Sequence, residues 1–294
     1  MKKFLKKNKV IFIPYILLLI SLFLLGYIIK NNLDSTLKSS ETKIHFINVG
    51  QGDAILIENK NFNILIDSGP NNAKDNIISY LKSNEIKKLD YVIASHPHED
   101  HIGSMDDIVN KFDIGEFIMP KILTTDEDLN NLLKSLKSKK LLVKNINNNL
   151  KIKLSKDAYI DFLWTGDISD DNLNNHSIVM KYITKNVSFL FTGDMEEEVE
   201  NILLSSKYPL KSTVLKVAHH GSKTSSSKSF ISEIQPQISV ISCGMGNDYG
   251  HPNKITLDTL KSTNSKILRS DINGNIIIKT NGDNLMIYTQ YNDK

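Results

Sequence analysis

One cysteine, one tryptophan and one arginine occur in 294 residues. The lone Cys243 excludes a disulfide scaffold, and it stands too far from the N-terminus to anchor a lipid there. Glycine and proline are sparse, at 14 and 7, which excludes a collagen-like repeat. Acidic residues are absent from residues 1–9, where Lys2, Lys3, Lys6, Lys7 and Lys9 stand together. Those five lysines outweigh the formal net charge of +3, so the rest of the chain is slightly acidic. It lacks the overall basic footprint of a nucleic-acid binder. No internal repeat of solenoid length is visible. What is present is 40% apolar and 23% charged residues, the balance of a globular chain with one or two domains.

Val10 to Ile29 is an uncharged, mostly apolar run of 20 residues. As a helix it is long enough to cross a bilayer. The preceding lysines predict a cytoplasmic N-terminus, and no small-residue cleavage site follows closely. The expected organisation is a basic cytoplasmic tail over 1–9, a membrane anchor over 10–29, a polar linker over 30–42 and one extracytoplasmic domain over 43–294. An uncleaved anchor is favoured over a cleaved signal.

Within the domain, short apolar runs predict strands at 43–49, 54–58, 62–67, 89–95, 116–119, 214–218 and 238–242. A hairpin is expected from 177–184 and 187–193, turning at Lys185-Asn186, and closing strands near 266–269, 275–279 and 284–289. Helical spacing appears at 73–84, 104–112, 126–139, 195–206, 226–234 and 255–263. The Lys- and Asn-rich stretch 131–156 follows neither period clearly. This is not a regular alternation of strand and helix. It predicts an α+β fold of two packed sheets with helices outside.

The strongest chemical signal is His96-Pro97-His98-Glu99-Asp100-His101, directly after a predicted strand. Three imidazoles and two carboxylates in six residues suit Zn²⁺, Mn²⁺ or iron, and the spacing suits two adjacent ions. His219-His220 ends another strand, His251 precedes Pro252 in a Gly/Asn-rich loop, and His176 opens a predicted strand. His45 sits mid-strand and reads as a packing residue. Asp194 ends the hairpin in Phe191-Thr192-Gly193-Asp194. Leu163-Trp164-Thr165-Gly166-Asp167 imitates that motif but enters a polar loop, so Asp194 is preferred.

Gly50-Gln51-Gly52-Asp53, Asp67-Ser68-Gly69, the His96–His101 cluster, Phe191–Asp194 and His219-His220-Gly221-Ser222 occur in one order. In this the chain resembles the metallo-β-lactamase superfamily. Asn174-Asn175-His176-Ser177, Lys223-Thr224-Ser225 and Tyr249-Gly250-His251-Pro252 make it most similar to the extracytoplasmic hydrolase domain of DNA-uptake competence proteins of the ComEC/Rec2 type. The resemblance covers about residues 43–289.

It implies an αββα sandwich holding two divalent ions, Zn²⁺ or Mn²⁺. By position, His96 and His98 would bind the first ion, Asp100 and His101 the second, and Asp194 both. One of His219 and His220 completes the second site, with His220 preferred and its neighbour facing substrate. His176 is a possible further ligand, although the competence subgroup tends to carry Asn-Asn there. Asp53 and Asp67 read as supports of the ligand loops. Ser222, Lys223 and Thr224 are candidate phosphate contacts. Asp100, His219 and His251 are the candidate catalytic residues, His251 as a general acid or as a donor to a non-bridging oxygen.

The expected activity is phosphodiester hydrolysis, with single-stranded DNA as the substrate the resemblance implies. Lys211, Lys216, Lys223 and Lys228 could form a local basic patch. Two other readings stay open. One is a hydrolase of small esters, such as phosphorylcholine esters, lactones or thioesters. The other is a binding module with a vestigial metal site. A membrane contact through the N-terminal helix is expected; no protein partner is legible.

Overall fold

Successive residues of a strand point to opposite faces, and here both faces are apolar. Ile64 and Ile66 fall on one side of their strand and Leu65 on the other, all three buried. Such strands need cover on both sides, which dictates a layered fold. The computed structural model describes residues 18–27, 41–122, 124–169, 171–206 and 208–291. The chain divides into two units, Met1–Glu41 and Thr42–Lys294.

In the first unit, residues 18–27 form helix α1, with Leu18, Phe23 and Tyr27 exposed. Among the described residues no helix is long and apolar enough to cross a membrane. The remainder of the expected span over 10–29, the basic tail over 1–9 and residues 30–40 of the expected linker over 30–42 lie outside the described residues.

The second unit begins with an antiparallel meander, β1 (Thr42–Phe46), β2 (Ile55–Asn59) and β3 (Phe62–Ile66). Helix α2 (Lys74–Ser83) then leads to β4 (Lys88–Ile93). Short α3 (Glu99–Ile102) and α4 (Met105–Lys111) precede β5 (Asp113–Ile118). After α5 (Glu127–Ser138) come the short strands β6 (Val143–Lys144) and β7 (Lys151–Lys153). Next are β8 (Ala158–Trp164) and the hairpin β9 (Val179–Thr184) and β10 (Val187–Phe191). Parallel strands β11 (Val214–Lys216), β12 (Ile238–Ile241) and β13 (Lys266–Arg269) alternate with α6 (Glu197–Ser205), α7 (Lys228–Ile234) and α8 (Lys254–Ser262). Short α9 (Ser270–Asn273) precedes the closing hairpin β14 (Ile276–Thr280) and β15 (Leu285–Thr289).

Among the described residues the strands make two sheets, ordered β15-β14-β1-β2-β3-β4-β5-β6 and β13-β12-β11-β10-β9-β8-β7. Their facing sides form the central core, where Ile44, Phe46, Ile57 and Ile64 meet Phe162, Tyr182, Phe189 and Phe191. The outer face of the first sheet packs Leu56, Leu65 and Val92 against Ile77 and Leu81 of α2, Ile108 of α4 and Leu132 of α5. The outer face of the second packs Val179, Leu190 and Leu215 against Val199 of α6, Phe230 of α7 and Leu260 of α8. The expected αββα sandwich is the architecture of this unit.

The unassigned stretch 131–156 resolves into the end of α5 and two short edge strands, β6 and β7. His176 does not open a strand; it closes a 3-10 turn, Leu173–His176, capped by the Asn172 side chain. His45 is the expected packing residue, bonded to Tyr80 and Glu58 at 2.9 and 3.0 Å.

Phe191 lies between the sheets, against Phe46 and stacked on Phe189. Phe191→Ala is expected to lower the unfolding free energy by about 3–5 kcal/mol. Urea denaturation measures it, and a loss under about 1 kcal/mol would mean that this layer is not closely packed.

Candidate metal centre

The parallel strands deliver their carboxyl ends to one edge of the sandwich. Asp67 follows β3, His96 follows β4, Asp194 follows β10 and His219-His220 follow β11. Asp53 joins them from the β1–β2 connection. Close backbone approach makes the edge dense. At Gly52, φ is +138°, and an added Cβ would collide with the carbonyl oxygen of Asp100. At Gly193, φ is +52°, and a Cβ would lie 2.8 Å from the Ser177 side chain. The Ser177 hydroxyl in turn accepts from the Asp194 backbone N–H at 2.9 Å.

Asp100, His101, Asp194 and His220 each bring one donor atom within 4.8 Å of the others. His220 Nε2 lies 3.1 Å from Asp100 Oδ2 and 3.2 Å from Asp194 Oδ2. His101 Nε2 lies 3.3 Å from Asp194 Oδ2. His96 and His98 adjoin them, with His96 Nε2 2.9 Å from His98 Nδ1 and the His96 and His101 rings 4.1 Å apart.

The two candidate histidines at 219 and 220 diverge because both adopt left-handed backbone conformations, at φ 48° and 53°. Such residues cost about 1–3 kcal/mol each and persist only where surroundings hold them. The turn sends His220 into the carboxylates, with Nδ1 bonded to Ser242 O at 2.9 Å. It sends His219 to the rim, where Nδ1 meets Glu196 Oε1 at 3.2 Å and Nε2 stays 4.0 Å from Asp194.

A lower tier supports the donors. Asp67 accepts from the Ser95 N–H and hydroxyl, both at 2.7 Å, and faces His101 Nδ1 at 2.9 Å. With Nδ1 committed, Nε2 of His101 is the atom left for the site, the arrangement typical of a braced metal-binding imidazole. Asp53 is fully buried and ion-paired to the equally buried Lys216. The Lys216 ammonium also lies 3.7 Å from Asp194 Oδ1 and 3.3 Å from Gly193 O.

The donors suit a divalent cation. His101 Nε2 and Asp194 Oδ1 are buried without a hydrogen-bond partner, as is Asp53 Oδ1 beneath them. Buried polar atoms without a partner cost free energy, which a cation held by the carboxylates and a neutral imidazole would recover. Mixed imidazole and carboxylate ligation fits Zn²⁺ or Mn²⁺.

Electrostatics in the metal-free chain agree with this. Burial disfavours a charged His220, but Asp194, Asp100 and Asp53 outweigh it and push its pKa up to about 10. The same contest, with Asp194, Asp100 and Asp67, raises His101 well above the ordinary value. Burial opposes the Asp194 carboxylate, but His220 and His101 hold it well below the usual range. Burial and then the neighbouring imidazoles lower His251 to about 4.

These groups floor and wall a pocket of about 590 Å³ lined by residues that include Gln51, His98, Asn174, His219, Tyr249 and His251. Other candidate residues fall elsewhere. His176 is buried with Nδ1 2.8 Å from Gly166 O and does not line the pocket. Its neighbour Asn174 does, with a buried amide oxygen lacking a hydrogen-bond partner. Ser222, Lys223 and Thr224 do not line it either; Ser222 and Thr224 bond to each other, and Thr224 donates to Glu196 at 3.0 Å. Asp167 is exposed and outside the cluster. The expected basic patch loses Lys216, which is 1% exposed and points between the sheets. Glu196, at the N-cap of α6, gathers His219, Asn172, Asn174 and Thr224.

A family model described as the metallo-beta-lactamase superfamily matches residues 47–245. The chain is 29% identical over 256 residues to ComE operon protein 3 of Bacillus subtilis, covering 81% of this chain and 33% of that protein. It is 28% identical over 259 residues to Recombination protein 2 of Haemophilus influenzae, covering 83% of this chain and 30% of that protein. The chain thus spans about a third of the length of these curated relatives. Igni18, described as a novel metallo hydrolase from Ignicoccus hospitalis, superposes with a TM-score of 0.52 at 16% identity, over 80% of this chain and 98% of that one. That likeness is one of fold.

Cation binding at these donors must displace protons, since His101 and His220 ligate only when neutral. Both hold their protons above the ordinary histidine range, so affinity is expected to climb as pH rises toward 10. Chelator competition with Mn²⁺ between about pH 6 and about pH 9 should give a rise of about tenfold or more per pH unit. A flat profile would mean that these imidazoles are not ligands.

Proposed function

The chain belongs to the metallo-β-lactamase superfamily, and from that premise we propose that it is a binuclear metal-dependent phosphodiesterase. The observation that carries the reading is the convergence of Asp100, His101, Asp194 and His220 beside His96 and His98, with Asp100, Asp194, His220 and His98 lining a pocket. His96 and His98 would hold one ion, Asp100, His101 and His220 the other, with Asp194 shared. When bound, the ions supply a nucleophilic hydroxide at neutral pH and offset negative charge in the transition state.

The chain's own groups do the rest. Asp67 and Ser95 fix the His101 ring, and Glu196 fixes that of His219 at the pocket rim. His251 lines the pocket with a pKa of about 4, so it is neutral at physiological pH. That favours hydrogen-bond donation to a non-bridging oxygen over proton transfer from an imidazolium. The lining is suited to a phosphoryl group, with imidazoles of His98, His219 and His251 and the Gly50-Gln51 turn around its mouth.

Single-stranded DNA is the proposed substrate, supported by relatives named for competence and recombination. A small phosphodiester is the second reading. It is favoured by a pocket of about 590 Å³ and by the removal of Lys216 from any surface patch. The N-terminal run over 10–29 is proposed as a membrane anchor that carries the domain outside the cytoplasm, supported by the lysines before it.

Two measurements test these readings. The full chain in detergent, with added Mn²⁺ or Zn²⁺, should hydrolyse bis-p-nitrophenyl phosphate. Asp194→Ala should reduce the rate by about 10³-fold or more. Comparison with single-stranded DNA separates the two substrates, and absence of both metal and turnover would leave a binding module. In intact cells, an external protease should digest the domain; protection of residues 43–294 would overturn the orientation.

A further inference from the structure

Lys216 stands where a lysine is least expected. It ends β11, and strand alternation puts it on the side of Val214, which belongs to the core between the sheets. It is 1% exposed, so its ammonium has left water altogether. Burial of a charge is tolerated only when partners surround it. Here Asp53 pairs with it directly, Gly193 O accepts from it at 3.3 Å, and Asp194 Oδ1 lies 3.7 Å away. Asp53 itself has no other basic neighbour closer than His101 Nδ1 at 3.8 Å and His220 Nδ1 at 3.9 Å.

The distribution of charge is lopsided. Asp53, Asp67, Asp100 and Asp194 crowd one edge, and among the described residues Lys216 is the single cation beside them that needs no proton exchange to stay charged. It touches one carboxylate of the lower tier and one that would be shared between ions.

We propose that Lys216 is a built-in counter-cation, a positioning residue that holds Asp53 and Asp194 in place before metal arrives and then weakens metal binding by repulsion. The proposal rests on the reading of Asp194 as a metal ligand. Its physical content is a trade. In the metal-free chain the ammonium offsets carboxylate repulsion, so it stabilises the fold. In the loaded chain it sits next to a ligand of a dication, so it opposes loading. Affinity is thereby set below what the donors alone would give.

The test uses the full chain in detergent, with Mn²⁺ as the probe, and compares Lys216→Met, the double variant Lys216→Met/Asp53→Asn, and the parent. Thermal midpoints are read without and with Mn²⁺, and affinity by chelator competition. Lys216→Met should melt lower than the parent without metal, gain more on adding Mn²⁺, and bind Mn²⁺ at least tenfold more tightly. The double variant removes one charge of each sign. It should recover most of the metal-free midpoint and return the affinity toward that of the parent. If the parent binds Mn²⁺ and Lys216→Met binds it equally or more weakly, the counter-cation proposal falls while the metal reading stands. If Lys216→Met does not fold, a double variant with unrecovered stability overturns the proposal. If the parent binds neither Mn²⁺ nor Zn²⁺, the metal reading falls, and the proposal with it.

Discussion

Four carboxylates within one edge of a sandwich form the constraint to which the rest of the site answers. Asp53, Asp67 and Asp194 are almost wholly buried, and Asp100 closes over them. Like charges at such distances repel strongly where water cannot screen them. The chain resolves this in two tiers. The lower tier is compensated permanently, Asp67 by Ser95 and His101 and Asp53 by Lys216. The upper tier is compensated by exchangeable charge. Protons on His101 and His220 serve while no cation is held, and their raised pKa values express how much positive charge the carboxylates demand.

That arrangement requires backbone in uncomfortable conformations. Asp67, His219 and His220 all have positive φ without being glycine, and Gly52 and Gly193 occupy positions where a Cβ would collide. Strain of this kind survives only where surrounding structure over-determines it. The surrounding structure here is two sheets with apolar residues on both faces, clamped between helices. The loops are also stitched to one another by backbone bonds, Asp53 N to Asp100 O, Ser68 N to His101 O, Ile178 N to Ser95 O and His219 N to Gly193 O. The last joins the loops that end β11 and β10, so a candidate ligand on one strand is located by the backbone of another.

The sandwich and the clustering of most candidate donors were legible because both rest on periodicity and residue chemistry. Alternating apolar strands and amphipathic helices announce themselves locally, and the His96–His101 run carries its candidate ligands within six residues. Strand alternation also contained the fate of Lys216. Val214 and Lys216 share a face, and a lysine two residues beyond an inward valine at a strand end is aimed inward. Reading it as surface charge followed the residue type instead of the register. Three features had no local signal. The divergence of His219 and His220 depends on two successive left-handed residues. The gathering of His219, Asn174 and Thr224 by Glu196 joins segments far apart in sequence. His176 stands where the superfamily resemblance allowed a further ligand, but the 3-10 turn commits its Nδ1 to Gly166 O and gives the pocket wall to Asn174.

The same charge balance bears on the order in which a substrate and its cations can enter. A phosphodiester is an anion, and the pocket it would enter is floored by Asp100 and Asp194. Protonated His101 and His220 offset these only in part, because His101 is shared with Asp67 beneath. Lys216 cannot reach the pocket; its ammonium is spent on Asp53 and the Gly193 carbonyl. At the mouth, burial and its neighbours keep His251 uncharged. Among the described residues that line the pocket there is no lysine or arginine to supply the positive field that an anion needs. On the proposed reading, cation loading must precede substrate binding, and phosphodiester affinity is linked to metal affinity. A carboxylate cluster held together by one internal lysine then does more than ligate. It keeps an anionic substrate out of a site that is not yet able to turn it over.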